Sequence, residues 1–290
     1  MDAMPEIARA DAIRCGSRAI ASGKGFPLHK GKRAVNLQFG RRVVTIQNRT
    51  GILSPSAILV DFSDLPDIGE AYFTGNILYT DSFQVRIGSK EELHFERRSA
   101  FSAHDAFRLL HPWIRVWDRS IAKAMIICLY DYDIRSCGLE KDIVAKEAAI
   151  LRESSSARKL AERLLGLGYG LTPSGDDFIL GILAVMSLEG RDPAALRPAI
   201  SRYENPFSRT ILEDAGDGYF SEPLLSLMNH LACGKCPPDA VRALLRVGST
   251  SGRDTLAGMY YALYRTIADD GRFWEPDTGS IPPGEFRGVR

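Results

Sequence analysis

Thr172-Pro173-Ser174-Gly175-Asp176-Asp177 sets two hydroxyls and two carboxylates directly before an apolar run, Phe178 to Leu188, in which only Ser187 is polar. Such residues at a helix entry suit three kinds of work. The carboxylates complement the positive end of the helix dipole. The glycine-rich turn cradles an anion on backbone N–H groups, with hydroxyls as further donors. A carboxylate can also move a proton or hold a cation.

The pattern recurs. Ser174-Gly-Asp-Asp-Phe-Ile-Leu-Gly181 aligns with Ser251-Gly-Arg-Asp-Thr-Leu-Ala-Gly258, sharing Ser-Gly, an Asp two residues later and a Gly four beyond that. Two ordinary helix caps would explain either copy alone; the shared offsets make the pair a candidate site. Its reacting groups are Asp177 and Asp254, with Asp176 beside them. Its anion-binding groups are Thr172, Ser174, Gly175, Ser249, Thr250, Ser251 and Gly252. Asp177 and Asp254 are also the ligands for Mg2+ if a metal takes part, and no other cofactor is implied. Adjacent helical residues project ~100° apart, so Asp176 and Asp177 are expected to do different jobs. Gly181 and Gly258 should mark the closest approach of the two helices.

The elements that position these turns are helical. Periodicity predicts helices over Trp113–Tyr130 and Asp142–Leu165, the second broken near Ser154-Ser-Ser156. Others run over Pro193–Tyr203, Pro206–Ala215, Pro223–Ala232, Pro238–Val247 and Arg253–Ala268, mostly opening at proline. Before Arg97 the period is two. Strands are predicted at Ala34–Phe39, Arg42–Gln47, Ala57–Phe62, Asn76–Thr80, Phe83–Ile87 and Leu93–Glu96, joined by short turns such as Gly40-Arg41 and Asp81-Ser82. The expected fold class is α+β: an N-terminal antiparallel β-rich half followed by a helical half. The expected domains are residues 1–100, opened by a short helix over Glu6–Ile20; residues 101–268, carrying the Ser-Gly-Asp-Asp motif; and a flexible tail, 269–290.

Composition narrows the function. With 290 residues, 45% hydrophobic and 25% charged, the chain is that of a globular protein. A net charge of +1 carries no footprint for nucleic acid or an acidic membrane. No apolar run spans a bilayer and the first residues hold no signal-peptide core, so a cytoplasmic protein is expected. The five cysteines do not form a disulfide framework. Cys233-Gly-Lys-Cys236 lacks a second pair to complete a zinc site, leaving reduced loop thiols as the expectation. G-x-S-x-G and the P-loop pattern are both absent.

Gly168-Tyr-Gly-Leu-Thr-Pro-Ser-Gly-Asp-Asp177 resembles the signature of the AllH family, which is linked to oxamate carbamoyltransferase. Asp214-Ala-Gly-Asp-Gly-Tyr-Phe-Ser-Glu-Pro223 and Gly248-Ser-Thr-Ser-Gly-Arg-Asp254 resemble the same family, although its usual His is replaced where Ser249 or Thr250 stands. The resemblance implies a subunit of a multi-subunit enzyme interconverting oxalurate plus phosphate with oxamate plus carbamoyl phosphate. It therefore implies small carboxylate anions as substrates and other subunits of that complex as partners. Two alternatives stand beside it: a non-catalytic ligand-binding or scaffold subunit, and a Mg2+-dependent phosphoryl-transfer enzyme using Asp177 and Asp254.

Overall fold

The computed structural model describes residues 8–97, 101–114, 120–130, 141–269 and 272–274. Eight strands come first: β1 (Ala8–Cys15), β2 (Lys24–Lys30), β3 (Ala34–Phe39), β4 (Arg42–Asn48), β5 (Ala57–Val60), β6 (Ala71–Thr74), β7 (Ile77–Thr80) and β8 (Phe83–Arg86). They close into a barrel in the order β1-β5-β4-β3-β2-β6-β7-β8. Alternation fills its interior. Val35, Leu37 and Phe39 of β3 point inward with Val44 and Ile46 of β4 and Phe83 and Val85 of β8. Asn36 and Thr45 fall between them, joined by a 2.8 Å hydrogen bond from Thr45 to the Asn36 amide oxygen.

This barrel corrects the expected antiparallel β half. The tight turns do make antiparallel hairpins, as in β3–β4 and β7–β8. The ring closes through parallel pairs, however, β4 with β5 and β1 with β8. Alternation and turn length identify strands and hairpins; they carry no information about the pairing of strands joined by a longer segment such as 49–56. The segregated α+β arrangement itself fits.

The expected N-terminal helix is also corrected. Residues 8–15 form β1, in which Ala10 and Ala12 are half-buried while Arg9, Asp11 and Ile13 are exposed. The helical reading gave weight to Ile13, which is 49% exposed. Small alanines at period two supplied too little hydrophobic contrast to show the strand. Leu93–Glu96 is not a strand of the barrel: His94 makes only an isolated bridge to Tyr219.

The helices follow: α1 (Ala103–Ile114), α2 (Ser120–Tyr130), α3 (Lys141–Glu153), α4 (Ala157–Leu164), α5 (Ser174–Glu189), α6 (Arg197–Arg202), α7 (Pro206–Gly216), α8 (Glu222–Leu231), α9 (Pro238–Leu245) and α10 (Ser251–Ala268). The serine break holds, with Ser156 capping α4 by accepting from the Lys159 N–H. Trp113–Tyr130 is divided between α1 and α2, and Trp117 lies outside the described residues. The expected tail lies mostly outside them as well. Its described part packs: Phe273 and Trp274 are buried, and the Arg265 guanidinium stands 3.9 Å from the Phe273 ring.

The apolar helix α5 and its counterpart α10 form the centre of the helical half. A Cβ at Gly181 would stand 2.0 Å from the Thr255 carbonyl oxygen, and one at Gly258 2.0 Å from that of Phe178. Only hydrogen at both positions permits this contact between backbones, as the repeat led us to expect.

Charge fastens the barrel to the helices. Asp214 of α7, 2% exposed, accepts from Arg42 at 2.9 Å, Arg18 at 3.0 Å and Ser56 at 2.8 Å. Thr210, one turn earlier, accepts from the Val43 N–H through its hydroxyl at 2.9 Å. Asp217 and Glu222 pair with Arg18 and Arg14. All three acidic residues of the 214–223 stretch thus join the two halves.

Candidate functional site

Each Ser-Gly turn is fixed by its own backbone. In the first, the Gly175 N–H donates to the Leu167 carbonyl, and those of Asp176 and Asp177 donate to that of Pro173. In the second, Gly252 donates to Val247, and Arg253 and Asp254 to Thr250. A Cβ at Gly175 would lie 1.9 Å from the Leu164 carbonyl oxygen, and one at Gly252 1.9 Å from that of Leu244. Each glycine therefore lets its helix start directly against the end of the helix before it. This geometry revises the anion cradle inferred from the turns, because these N–H groups are already used within them.

The two adjacent aspartates diverge. Asp176 accepts from the Gly166 N–H through one oxygen and from the Tyr203 hydroxyl through the other, both at 2.8 Å. Burial raises its pKa, and these bonds oppose the shift. It does not reach the cavity described below. Asp177 turns the other way, into the wall of that cavity. It is 5% exposed, and its Oδ2 has no hydrogen-bond partner among the described residues. Desolvation pushes its pKa up to about 8; the nearby charge of Asp254 adds to the shift, and hydrogen bonds from Ser251 and Thr172 oppose it. Asp177 is thus a carboxylic acid at neutral pH.

Asp254 lies fully buried behind Asp177, outside the cavity wall. Thr172 and Ser251 stand in the wall, with their hydroxyl oxygens 3.2 Å apart. One hydroxyl from each turn therefore meets beside Asp177. Ser249 is exposed and Thr250 half-buried, and neither lines the cavity; Ser174 does not line it either.

The cavity occupies about 350 Å3 between the outer barrel wall and the helices. Asn36, Val43, Thr45 and Gln47 of β3 and β4 form one side, and Leu180, Phe207, Ile211, Leu224, Leu244 and Val247 the other. The barrel contribution was missing from the sequence reading. Its signal is Asn36 and Thr45, polar residues buried or half-buried between inward-facing Val35, Leu37, Val44 and Ile46. Among the described residues no Lys or Arg lines this space, and its two acidic residues are Asp177 and Asp214.

No three His, Cys, Asp or Glu side chains come together as a metal centre among the described residues. Asp177 and Asp254 thus have no third side chain of that kind. At the Cys-x-x-Cys, burial pushes the Cys236 thiol up to about 11, away from the thiolate that redox or metal chemistry uses. The His230 ring bonds the Ser226 carbonyl instead.

The AllH resemblance is borne out for the helical layer of the site. The AllH family model, described as oxamate carbamoyltransferase subunit AllH, matches residues 164–263, from the end of α4 through most of α10. No solved structure matches the chain. No helix among the described residues is long and apolar enough to cross a membrane.

Proposed function

We propose that this chain is a subunit of a carbamoyltransferase-type enzyme and that Asp177, Thr172 and Ser251 hold the carbamoyl group under transfer. The observation supporting this reading is Asp177: a buried carboxyl in a cavity wall, its pKa raised by desolvation, flanked by a hydroxyl from each turn. The family match supplies the reaction class.

In the oxalurate direction, a hydrogenphosphate oxygen forms a bond to the carbamoyl carbon and the bond from that carbon to the ureide nitrogen breaks. The departing nitrogen takes the Asp177 proton and leaves as the amide of oxamate. The carboxylate then takes the proton given up by the hydrogenphosphate, restoring its starting state. Thr172 and Ser251 donate to the carbamoyl oxygen as it gains charge. A pKa near the working pH suits such an acid.

A wall without Lys or Arg among the described residues favours a division of labour in which another subunit brings cations to the phosphate. The same observation supports the second reading, a subunit that binds ligand for a catalytic partner. The test is carbamoyl phosphate formation from oxalurate and phosphate, by the chain alone and with the family's partner subunits. We expect turnover only in the assembly, and a fall of ~10²–10⁴-fold in kcat for Asp177→Asn with KM little changed. Full turnover by the Asn assembly removes Asp177 from the reaction. Ordinary rates from the chain alone remove the partner requirement.

A further inference from the structure

The barrel wall of the cavity carries a row of polar side chains. His29 of β2 pairs with Asn36 of β3, and Asn36 pairs with Thr45 of β4, so the three stand side by side across three strands. All three line the cavity. The row depends on a bulge in β2. Pairing continued from Pro27–Leu37 would bring Leu28 opposite Asn36, but one extra residue there brings His29 into that place. Bulges re-aim single side chains in this way.

The donors of the row are unused. Thr45 donates to the Asn36 amide oxygen at 2.8 Å, which turns the amide nitrogen away from Thr45. That nitrogen has no acceptor among the described residues. Asn36 is only 3% exposed, yet its nitrogen retains accessible surface, unlike Asp177 Oδ2. Val35 and Leu37 face the barrel interior, so Asn36 faces outward and that surface belongs to the cavity. A buried amide nitrogen held without an acceptor costs stability and returns nothing within the fold. His29 is exposed while lining the same space, which places it at the mouth.

We infer that Asn36 and His29 bind the carboxylate of the substrate, with Thr45 as the positioning residue that holds the Asn36 amide in its donating orientation. This rests on the assignment of the Asp177 end to the carbamoyl group. Oxalurate carries its carbamoyl group and its carboxylate at opposite ends, so a molecule held at the helical wall by the first offers the second to the barrel wall. An amide and a ring N–H suit the two acceptor oxygens of a carboxylate. A position at the mouth keeps its single charge close to water and lowers the desolvation cost.

The test is titration calorimetry on the full chain at pH 7.5 with oxamate, with oxamide, in which an uncharged amide replaces the carboxylate, and with inorganic phosphate. Wild type should bind oxamate at least about tenfold more tightly than oxamide, as a hydrogen bond to a charged group predicts. Asn36→Asp has nearly the same shape and still accepts from Thr45, but it turns an acceptor toward the ligand, so oxamide should become the tighter of the two. Asn36→Leu should lose about tenfold in oxamate affinity and leave phosphate within about twofold; it decides the matter if the Asp variant does not fold. His29→Ala should weaken oxamate more than oxamide. Thr45→Val should weaken oxamate by about threefold or more, and Thr45→Ser, which keeps the hydroxyl, should restore it.

No binding of oxamate, equal affinity for oxamate and oxamide, oxamate affinity unmoved by the Asn36 variants, or an equal loss of phosphate affinity would overturn the inference. The transfer assay separates the two readings. Oxalurate turnover by an assembly whose KM for oxalurate is unchanged by Asn36→Leu keeps the proposed function and removes this inference. Oxamate binding that depends on Asn36, without carbamoyl transfer in any assembly, keeps the carboxylate site and removes the proposed function.

Discussion

Replacing Asp177 by Asn should stabilise the protein, and increasingly so as pH rises. Folded, Asp177 holds its proton to about pH 8; unfolded, it releases it near the ordinary carboxyl value of 3.8. Between those values the folded state binds one proton more than the unfolded state, so stability falls as pH rises, by about 1.4 kcal/mol per unit. The contribution is fully present below 3.8 and lost as pH climbs through about 8. Asn mimics the neutral carboxyl and titrates in neither state. From pH 5 to pH 8 the advantage of the variant should widen by roughly 4 kcal/mol, an order-of-magnitude figure in view of the neighbouring charge of Asp254. Urea denaturation of both proteins at pH 5, 6, 7 and 8 measures it, since other titrating groups largely cancel in the difference. A small pH-independent loss of ~0.3–1 kcal/mol in the variant is the behaviour of an exposed carboxylate on a helix dipole, and it would refute the buried-acid reading.

Two further outcomes test the frame around that acid. Gly181→Ala or Gly258→Ala places a Cβ 2.0 Å from a backbone carbonyl oxygen, and neither helix can yield without repacking; a loss of roughly 3 kcal/mol or more is expected by denaturation. Asp176→Asn keeps one acceptor oxygen for the Gly166 N–H and the Tyr203 hydroxyl, which now take one each. It should cost ~1–3 kcal/mol, and its turnover in the assembled enzyme should fall no further than its folded fraction. A much larger fall in turnover would return Asp176 to the reacting groups.

The paired turns could be read from the sequence because their chemistry is local. Ser-Gly followed by Asp, with Gly one turn later, specifies a helix start and a close helix crossing within eight residues; Gly181 and Gly258 meet as that spacing requires. The divergence of Asp176 and Asp177 followed from helix geometry in the same way. The barrel wall could not be read. Asn36 and Thr45 become part of a cavity only because β4 also docks on α7, Val43 on Thr210 and Arg42 on Asp214, more than 160 residues further along the chain. Nor could the state of the carboxyl be read, because the pKa of Asp177 depends on burial and on Asp254, both products of packing. The antiparallel expectation failed for a similar reason: local turn chemistry specifies hairpins, and ring closure depends on distant pairings.

The difference between the two turns turns a repeated scaffold into a single site. Leu164, Leu167 and Gly168 have the same roles as Leu244, Val247 and Gly248: the first carbonyl meets the turn glycine, the second accepts its N–H, and the third residue has positive φ. Residues 169–173 then separate Gly168 from Ser174, whereas only 249–250 separate Gly248 from Ser251. The longer connection sends Tyr169 outward, 93% exposed, and lays Leu171 and Thr172 along the cavity. The Leu171 carbonyl accepts from Asn205 and Ser208, which ties this connection to the start of α7. Two equivalent turns would present two equivalent acids. With one turn lengthened, Thr172 faces Ser251 across the Asp177 end of the cavity, and Asp254 is left behind it as the charge that helps keep Asp177 protonated.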